Sequence, residues 1–185
     1  RDCIALDIIN NYQSHFVMSV MKTSYVSSPW SPAIQTIPSI DNMAVRDQYR
    51  GQIDTNLSLL QYYDQFQIEI VAETMCAGIT FFPTEKTWRA IAMRSPFIVQ
   101  GPQNYLKNLK LLGFKTFDRW WDESYDLESD PNIRTRKIVD VLEQLSKLSD
   151  AELKQMHQEM LPILQYNKEH FYTTFKDLVI DEMVN

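Results

Sequence analysis

The sequence predicts an α/β fold, a small Rossmann-like parallel sheet flanked by helices, with helical segments on its N-terminal and C-terminal sides. Three observations carry this. Across residues 66–117 strand-like and helix-like stretches alternate, the pattern of parallel strands joined by helical crossovers. Only 4 glycines and 8 prolines in 185 residues leave too few turn residues for a many-turned all-β chain. Beyond residue 126 the apolar spacing is that of helices throughout.

In chain order, Ile4, Ile8, Ile9, Tyr12, Phe16, Val20 and their neighbours follow a 3.6-residue period, which predicts a first helix over residues 4–21. Prolines 29, 32 and 38 make residues 23–40 a connection, because each removes a backbone donor and restrains its neighbour. Asp41 can cap a second helix reaching Tyr63, weakened at Gly51. Phe66, Ile68, Ile70 and Ala72 alternate with polar residues, as in a strand, and residues 79–82 read as a short strand or loop.

Thr84 is a suitable N-cap for a helix over residues 85–94, and residues 97–99 form the next strand. Pro102 suits the first turn of a helix ending at Gly113, whose lack of a side chain suits the left-handed position, and residues 114–117 read as a third strand. Asp130-Pro131 opens a helix to about Leu145, and Ser149-x-x-Glu152 is a capping box opening another, which Pro162 is expected to kink or divide. The whole is expected to be a single domain, residues 1–185. Within it lie a mainly helical part (1–65), a β-α-β-α-β core (66–126) and C-terminal helices (127–185).

A hydrophobic content of 44% is ample for a core, which sets disorder aside. The net charge of −6 gives no whole-chain attraction to polyanions, so nucleic-acid and anionic-membrane partners are disfavoured. Cys3 and Cys76 are far apart, without C-x-x-C spacing, which speaks for a reducing compartment. No apolar run reaches the ~18 residues of a membrane span, and no signal peptide opens the chain, so a cytoplasmic location is expected. The first residue is Arg1 rather than Met, which suggests that part of the natural protein lies upstream.

Chemistry is expected at the carboxyl ends of parallel strands, where helix N-termini present free N–H groups. Pro83-Thr84-Glu85-Lys86 falls at such a place. A lysine there can neutralise a diphosphate, and a carboxylate can accept from ribose or sugar hydroxyls. The same residues also serve as an ordinary cap and a solvated cation. Asp122, Glu123 and Asp126 have the oxygens for a divalent cation, although an acidic turn is the commoner origin of such a run, and no metal or other cofactor is expected. His15, His157 and His170 lack metal-ligand spacing. Arg89 and Arg94 can add charge to a diphosphate site, and Trp120, Trp121 and Tyr125 can stack on a sugar, though core packing is their usual fate.

Residues 66–74 (Phe-Gln-Ile-Glu-Ile-Val-Ala-Glu-Thr), 82–88 (Phe-Pro-Thr-Glu-Lys-Thr-Trp) and 96–102 (Pro-Phe-Ile-Val-Gln-Gly-Pro) resemble, in order and spacing, the donor-binding signature of α-1,3-fucosyltransferases of GT-B architecture. The Thr-Glu-Lys-Thr-Trp run, Leu-Gly-Phe-Lys-Thr-Phe at residues 112–117 and Trp-Asp-Glu-Ser-Tyr-Asp at 121–126 are also similar to glycosyltransferase-family proteins of phages and large viruses. The resemblance covers about residues 66–126 and makes that core a nucleotide-sugar-binding one. It implies that Glu85 meets the nucleotide ribose and Lys86 the diphosphate, with Thr84 in the same turn and Glu73 at the donor sugar or ribose. Thr74 stands where the family has Asn and Pro83 where it has Val, so no particular donor follows.

Two functions follow as expectations. One is a nucleotide-sugar-dependent glycosyltransferase, or its donor-binding C-terminal domain, acting on an unidentified acceptor hydroxyl with a further N-terminal domain outside the chain. The other is a non-enzymatic protein-interaction module on such a scaffold, in the host cytoplasm if a virus encodes it.

Overall fold

The computed structural model describes residues 17–18, 35–36, 63 and 66–178. The chain divides into two units, Arg1–Phe66 and Gln67–Asn185. In the first, β1 (Val17–Met18) pairs in parallel with β2 (Gln35–Thr36), Val17 opposite Gln35. Both pieces correct the sequence reading, which placed residues 17–18 in a helix and 35–36 in a connection. Local apolar spacing does not register a pairing between distant segments, and tertiary partners override it. The rest of the expected first and second helices lies outside the described residues.

The second unit runs β3 (Glu69–Ala72), α1 (Glu85–Ala92), β4 (Phe97–Gln100), α2 (Tyr105–Leu111), a 3₁₀ turn (Ser124–Leu127), α3 (Pro131–Leu145), α4 (Asp150–His170) and a π turn (Phe171–Phe175). β3 and β4 are parallel, with Val71 opposite Val99, and α1 is the crossover between them. The ladder extends past both ends of the strands, Glu69 N donating to Pro96 O at 2.8 Å and Glu73 N to Gln100 O at 3.0 Å. This is an α/β arrangement around a two-stranded parallel sheet. Every residue of β4 is buried, as a strand covered on both faces requires. In β3 the buried residue is Val71, on the opposite face from the Ile70 and Ala72 that alternation had marked as apolar.

Helix α1 packs on β3 and α4, and α3 packs on β4. Ala90, Ile98, Leu109, Phe117, Ile138 and Met160 are fully enclosed between these layers. Each large aliphatic side chain so buried contributes about 1.5–3 kcal/mol. Trp88 of α1 joins a ring cluster with Phe114, Phe171 and Phe175, at centroid distances of 5.7, 5.5 and 4.9 Å, which fastens α1 to the C-terminal turn.

The caps of three helices follow the sequence signals. Thr84 Oγ1 accepts from Lys86 N at the start of α1, Asp130 accepts from Asn132 N and Ile133 N before Pro131, and Ser149 and Glu152 form the reciprocal capping box of α4. Gly113 has φ +92°, the left-handed conformation expected of it, and a Cβ there would lie 2.7 Å from His170 Nε2. Two expectations fail and a third fails in part. Residues 114–117 form no strand, because both polar atoms of the Lys115 peptide are taken by one side chain: Asn167 Oδ1 accepts from Lys115 N and Asn167 Nδ2 donates to Lys115 O, each at 2.8 Å. Pro162 does not divide α4, which runs unbroken from Asp150 to His170; it and Gln158, whose carbonyl it cannot serve, are both exposed, so that carbonyl is open to solvent. Pro102 precedes α2 in a separate turn, and Asn104 at φ 63° leads into the helix.

Helix α1 ends with Arg94 at φ 57°, Arg94 N donating to Ile91 O and Ser95 N to Ala90 O. This is the left-handed closure that glycine adopts without strain. Arg94 is exposed, so Arg94→Gly is expected to stabilise the unit by about 0.5–1 kcal/mol, read as a rise in the urea midpoint at unchanged slope; a fall would refute the strain.

Candidate functional site

The chain leaves β3 at Glu73 and returns at Thr84 to start α1, so the carboxyl end of the strand and the N-terminus of the helix meet there. Glu73 is 1% exposed. A carboxylate this deep persists only if its oxygens are satisfied. Oε1 accepts from Thr84 N at 3.0 Å, Thr87 Oγ1 at 2.7 Å and Tyr105 OH at 2.8 Å, while Oε2 accepts from Thr84 Oγ1 at 2.5 Å. The Thr87 and Tyr105 hydroxyls lie 2.7 Å apart. Burial drives the Tyr105 phenol far above its ordinary value, the Thr87 hydrogen bond opposes this, and the charge of Glu73 adds to it. Tyr105 therefore stays a donor at every physiological pH.

On the solvent side of this network sit Glu85 and Lys86. Lys86 Nζ donates to Thr84 Oγ1 at 3.3 Å and pairs with Glu85 Oε1 at 3.1 Å; the lysine side chain is 19% exposed and the glutamate 52%. Partial burial opposes ionisation of Glu85. The hydrogen bond from Lys86, the helix backbone and the charges of Lys86 and Arg89 outweigh it and hold the carboxyl below its ordinary value. The structure thus brings Glu73, Thr84, Glu85 and Lys86 into one hydrogen-bonded run at a helix N-terminus. Glu73 stands inside it with both oxygens occupied, and Glu85 and Lys86 face solvent. An ammonium, a first-turn carboxylate and the positive end of a helix form a surface able to take an anion and a hydroxyl together.

Arg89 points back to Glu69 at 3.1 Å, and Arg94 lies at the opposite end of α1. The acidic run is spent on backbone. Asp122 accepts from Ser124 N and Oγ, and these bonds hold its carboxyl below the ordinary value. Glu123 accepts from Phe117 N and Thr116 Oγ1; burial pushes its carboxyl up, against those two bonds. Asp126 accepts from Leu106 N at 2.8 Å and Lys107 N at 3.0 Å, capping α2 from a distant segment. Trp121 and Tyr125 are core residues. Among the described residues, no three His, Cys, Asp or Glu side chains converge as a metal cage, and no helix is long and apolar enough to cross a membrane. His157 and His170 each face a backbone carbonyl, of Gln67 and Leu112.

Three residues of the site were missed by sequence reasoning: Thr87, Tyr105 and Arg134. Arg134 of α3 is 2% exposed and sends Nη1 to Cys76 O (2.9 Å) and Gly101 O (2.6 Å). Its Nε and Nη2 reach Glu128 O (2.9 and 2.7 Å), and Nη2 also reaches Ser129 O (3.3 Å). Burial draws the guanidinium below its ordinary pKa and the charge of Asp126 works the other way; an arginine keeps its charge regardless. It ties the loops that follow β3 and β4 to the entry of α3. Nothing in the local sequence distinguishes it from the exposed arginines, because its partners are backbone atoms, two of them in the remote segments at Cys76 and Gly101.

Fold and site together define a parallel β-α-β unit with a capped helix N-terminus at the strand ends. No family model, curated protein or solved structure matches the chain.

Proposed function

We propose that the Gln67–Asn185 unit is the donor-binding part of a nucleotide-sugar-dependent glycosyltransferase, with its small parallel sheet a reduced Rossmann-like one. The observation that carries this reading is the tethering of Lys86: its ammonium sits 3.3 Å from a Thr84 hydroxyl that is itself held by buried Glu73, at the N-terminus of α1. A cation so oriented meets a diphosphate with little further ordering to do. The resemblance of residues 66–126 to the fucosyltransferase signature supports the same assignment.

In the reaction, the acceptor oxygen bonds to the anomeric carbon as that carbon's bond to the phosphate oxygen breaks. The electron pair leaves with the nucleoside diphosphate, and the acceptor proton passes to a base on the acceptor side. Lys86, at the positive end of the α1 dipole, stabilises the charge gathering on the diphosphate, the kind of term that dominates such transfers. Glu85 accepts from the ribose hydroxyls. Glu73, enclosed by Thr84, Thr87 and Tyr105, serves the donor by fixing this turn.

Calorimetric titration with a panel of nucleoside diphosphates and nucleotide sugars tests the reading. Saturable binding is expected, weakened at least about tenfold by Lys86→Ala, the loss of one charge-assisted contact. A folded chain that binds none of the panel would overturn it and leave the interaction module as the better account.

A further inference from the structure

We propose that Tyr105, on a different helix from Lys86, is a positioning residue for the diphosphate site, acting through the Thr87 and Glu73 network; this rests on the donor-binding reading above. The hydrogen-bonded route is continuous. Tyr105 OH donates to Glu73 Oε1 at 2.8 Å, Glu73 Oε2 accepts from Thr84 Oγ1 at 2.5 Å, and Thr84 Oγ1 accepts from Lys86 Nζ at 3.3 Å.

Capping α1 needs only the Thr84 hydroxyl, yet four donors, from the start of α1 and from α2, converge on the carboxylate behind it. Tyr105 is placed with unusual strictness. It is 1% exposed, and its ring lies so close to Gly101 that a Cβ there would come within 2.7 Å of Cδ2. Phe81, from the loop between β3 and α1, meets the ring edge-on at 5.1 Å. Asp126 fixes the backbone of α2 just beyond, at Leu106 N and Lys107 N. The phenol is thus referenced to the loop after β4, the loop after β3 and the 3₁₀ turn, and it passes that reference to the Thr84–Lys86 turn. With two hydroxyl protons serving the three contacts among Thr87, Tyr105 and Oε1, losing either hydroxyl lets the carboxylate rotate toward the other.

Tyr105→Phe and the isosteric Thr87→Val remove one hydroxyl each. Each is expected to weaken nucleoside diphosphate binding about tenfold, weaken binding of the unphosphorylated nucleoside by clearly less, and cause no further loss of diphosphate affinity in a Lys86→Ala background. Exchange of the Thr84 amide proton should accelerate in both variants without ligand. If the variants lose thermal stability while diphosphate affinity stays at the wild-type value, or if the losses simply add to that of Lys86→Ala, the positioning role is overturned and the donor reading stands. A wild-type chain that binds no nucleoside diphosphate, with Thr84 exchange still accelerated in the variants, overturns the donor reading but keeps the coupling of Tyr105 to the turn.

Discussion

Arg134→Met is expected to destabilise the Gln67–Asn185 unit by about 3–5 kcal/mol, a large share of the about 5–15 kcal/mol of an ordinary domain. The substitution keeps much of the apolar stem but withdraws every donor from the carbonyls of Cys76, Gly101, Glu128 and Ser129. A buried carbonyl left unpaired costs about 1–3 kcal/mol, and the Gly101 bond, at 2.6 Å, lies in buried surroundings. Arg134→Lys should fall between, since an ammonium carries the charge without the planar fork that reaches three segments at once. Urea denaturation followed by circular dichroism measures both. A loss under about 1 kcal/mol for the methionine variant would mean that water takes over these carbonyls without difficulty.

Glu73→Leu ranks beside it. With no acceptor at position 73, Thr84 N, Thr87 Oγ1 and Tyr105 OH face an apolar side chain inside the protein, and a cost of about 3–5 kcal/mol is expected, together with loss of diphosphate binding at Lys86. Glu73→Gln should cost about 1–2 kcal/mol, less than leucine, because the amide oxygen can keep Thr84 N, Thr87 and Tyr105 while the Thr84 hydroxyl turns to accept from the new NH₂ group. Equal losses for the two variants, measured in the same urea series, would show that the site needs the charge rather than the acceptor geometry.

The parts of the structure legible in the sequence were those decided by neighbours in the chain. Thr84, Asp130 and Ser149 with Glu152 announce helix starts because a cap acts within three residues, and Gly113 announces a helix end for the same reason. The run Phe97–Gln100 was readable because a strand buried on both faces is continuously apolar until its last residue. What stayed hidden was decided at long range. Residues 114–117 have the composition of a strand and lose that outcome to Asn167, more than fifty residues away. Thr84, Glu85 and Lys86 could be placed at a helix start from the local sequence, and Glu73 was named only through the family resemblance; their order from core to solvent depends on Tyr105 and Thr87, whose hydroxyls carry no periodic signal. Asp126 read as part of an acidic turn with the oxygens for a cation, and its capping of α2 stayed hidden because its partners, Leu106 N and Lys107 N, lie about twenty residues away.

Arg134 grips only main-chain oxygens. Every peptide unit offers such an oxygen whatever side chain it bears, so Cys76, Glu128 and Ser129 can be replaced one by one without loosening the frame. The loops bordering the site are therefore open to drift. Mutation can explore new contacts there while the geometry at Lys86 is inherited intact, so that loops and frame can change independently of one another.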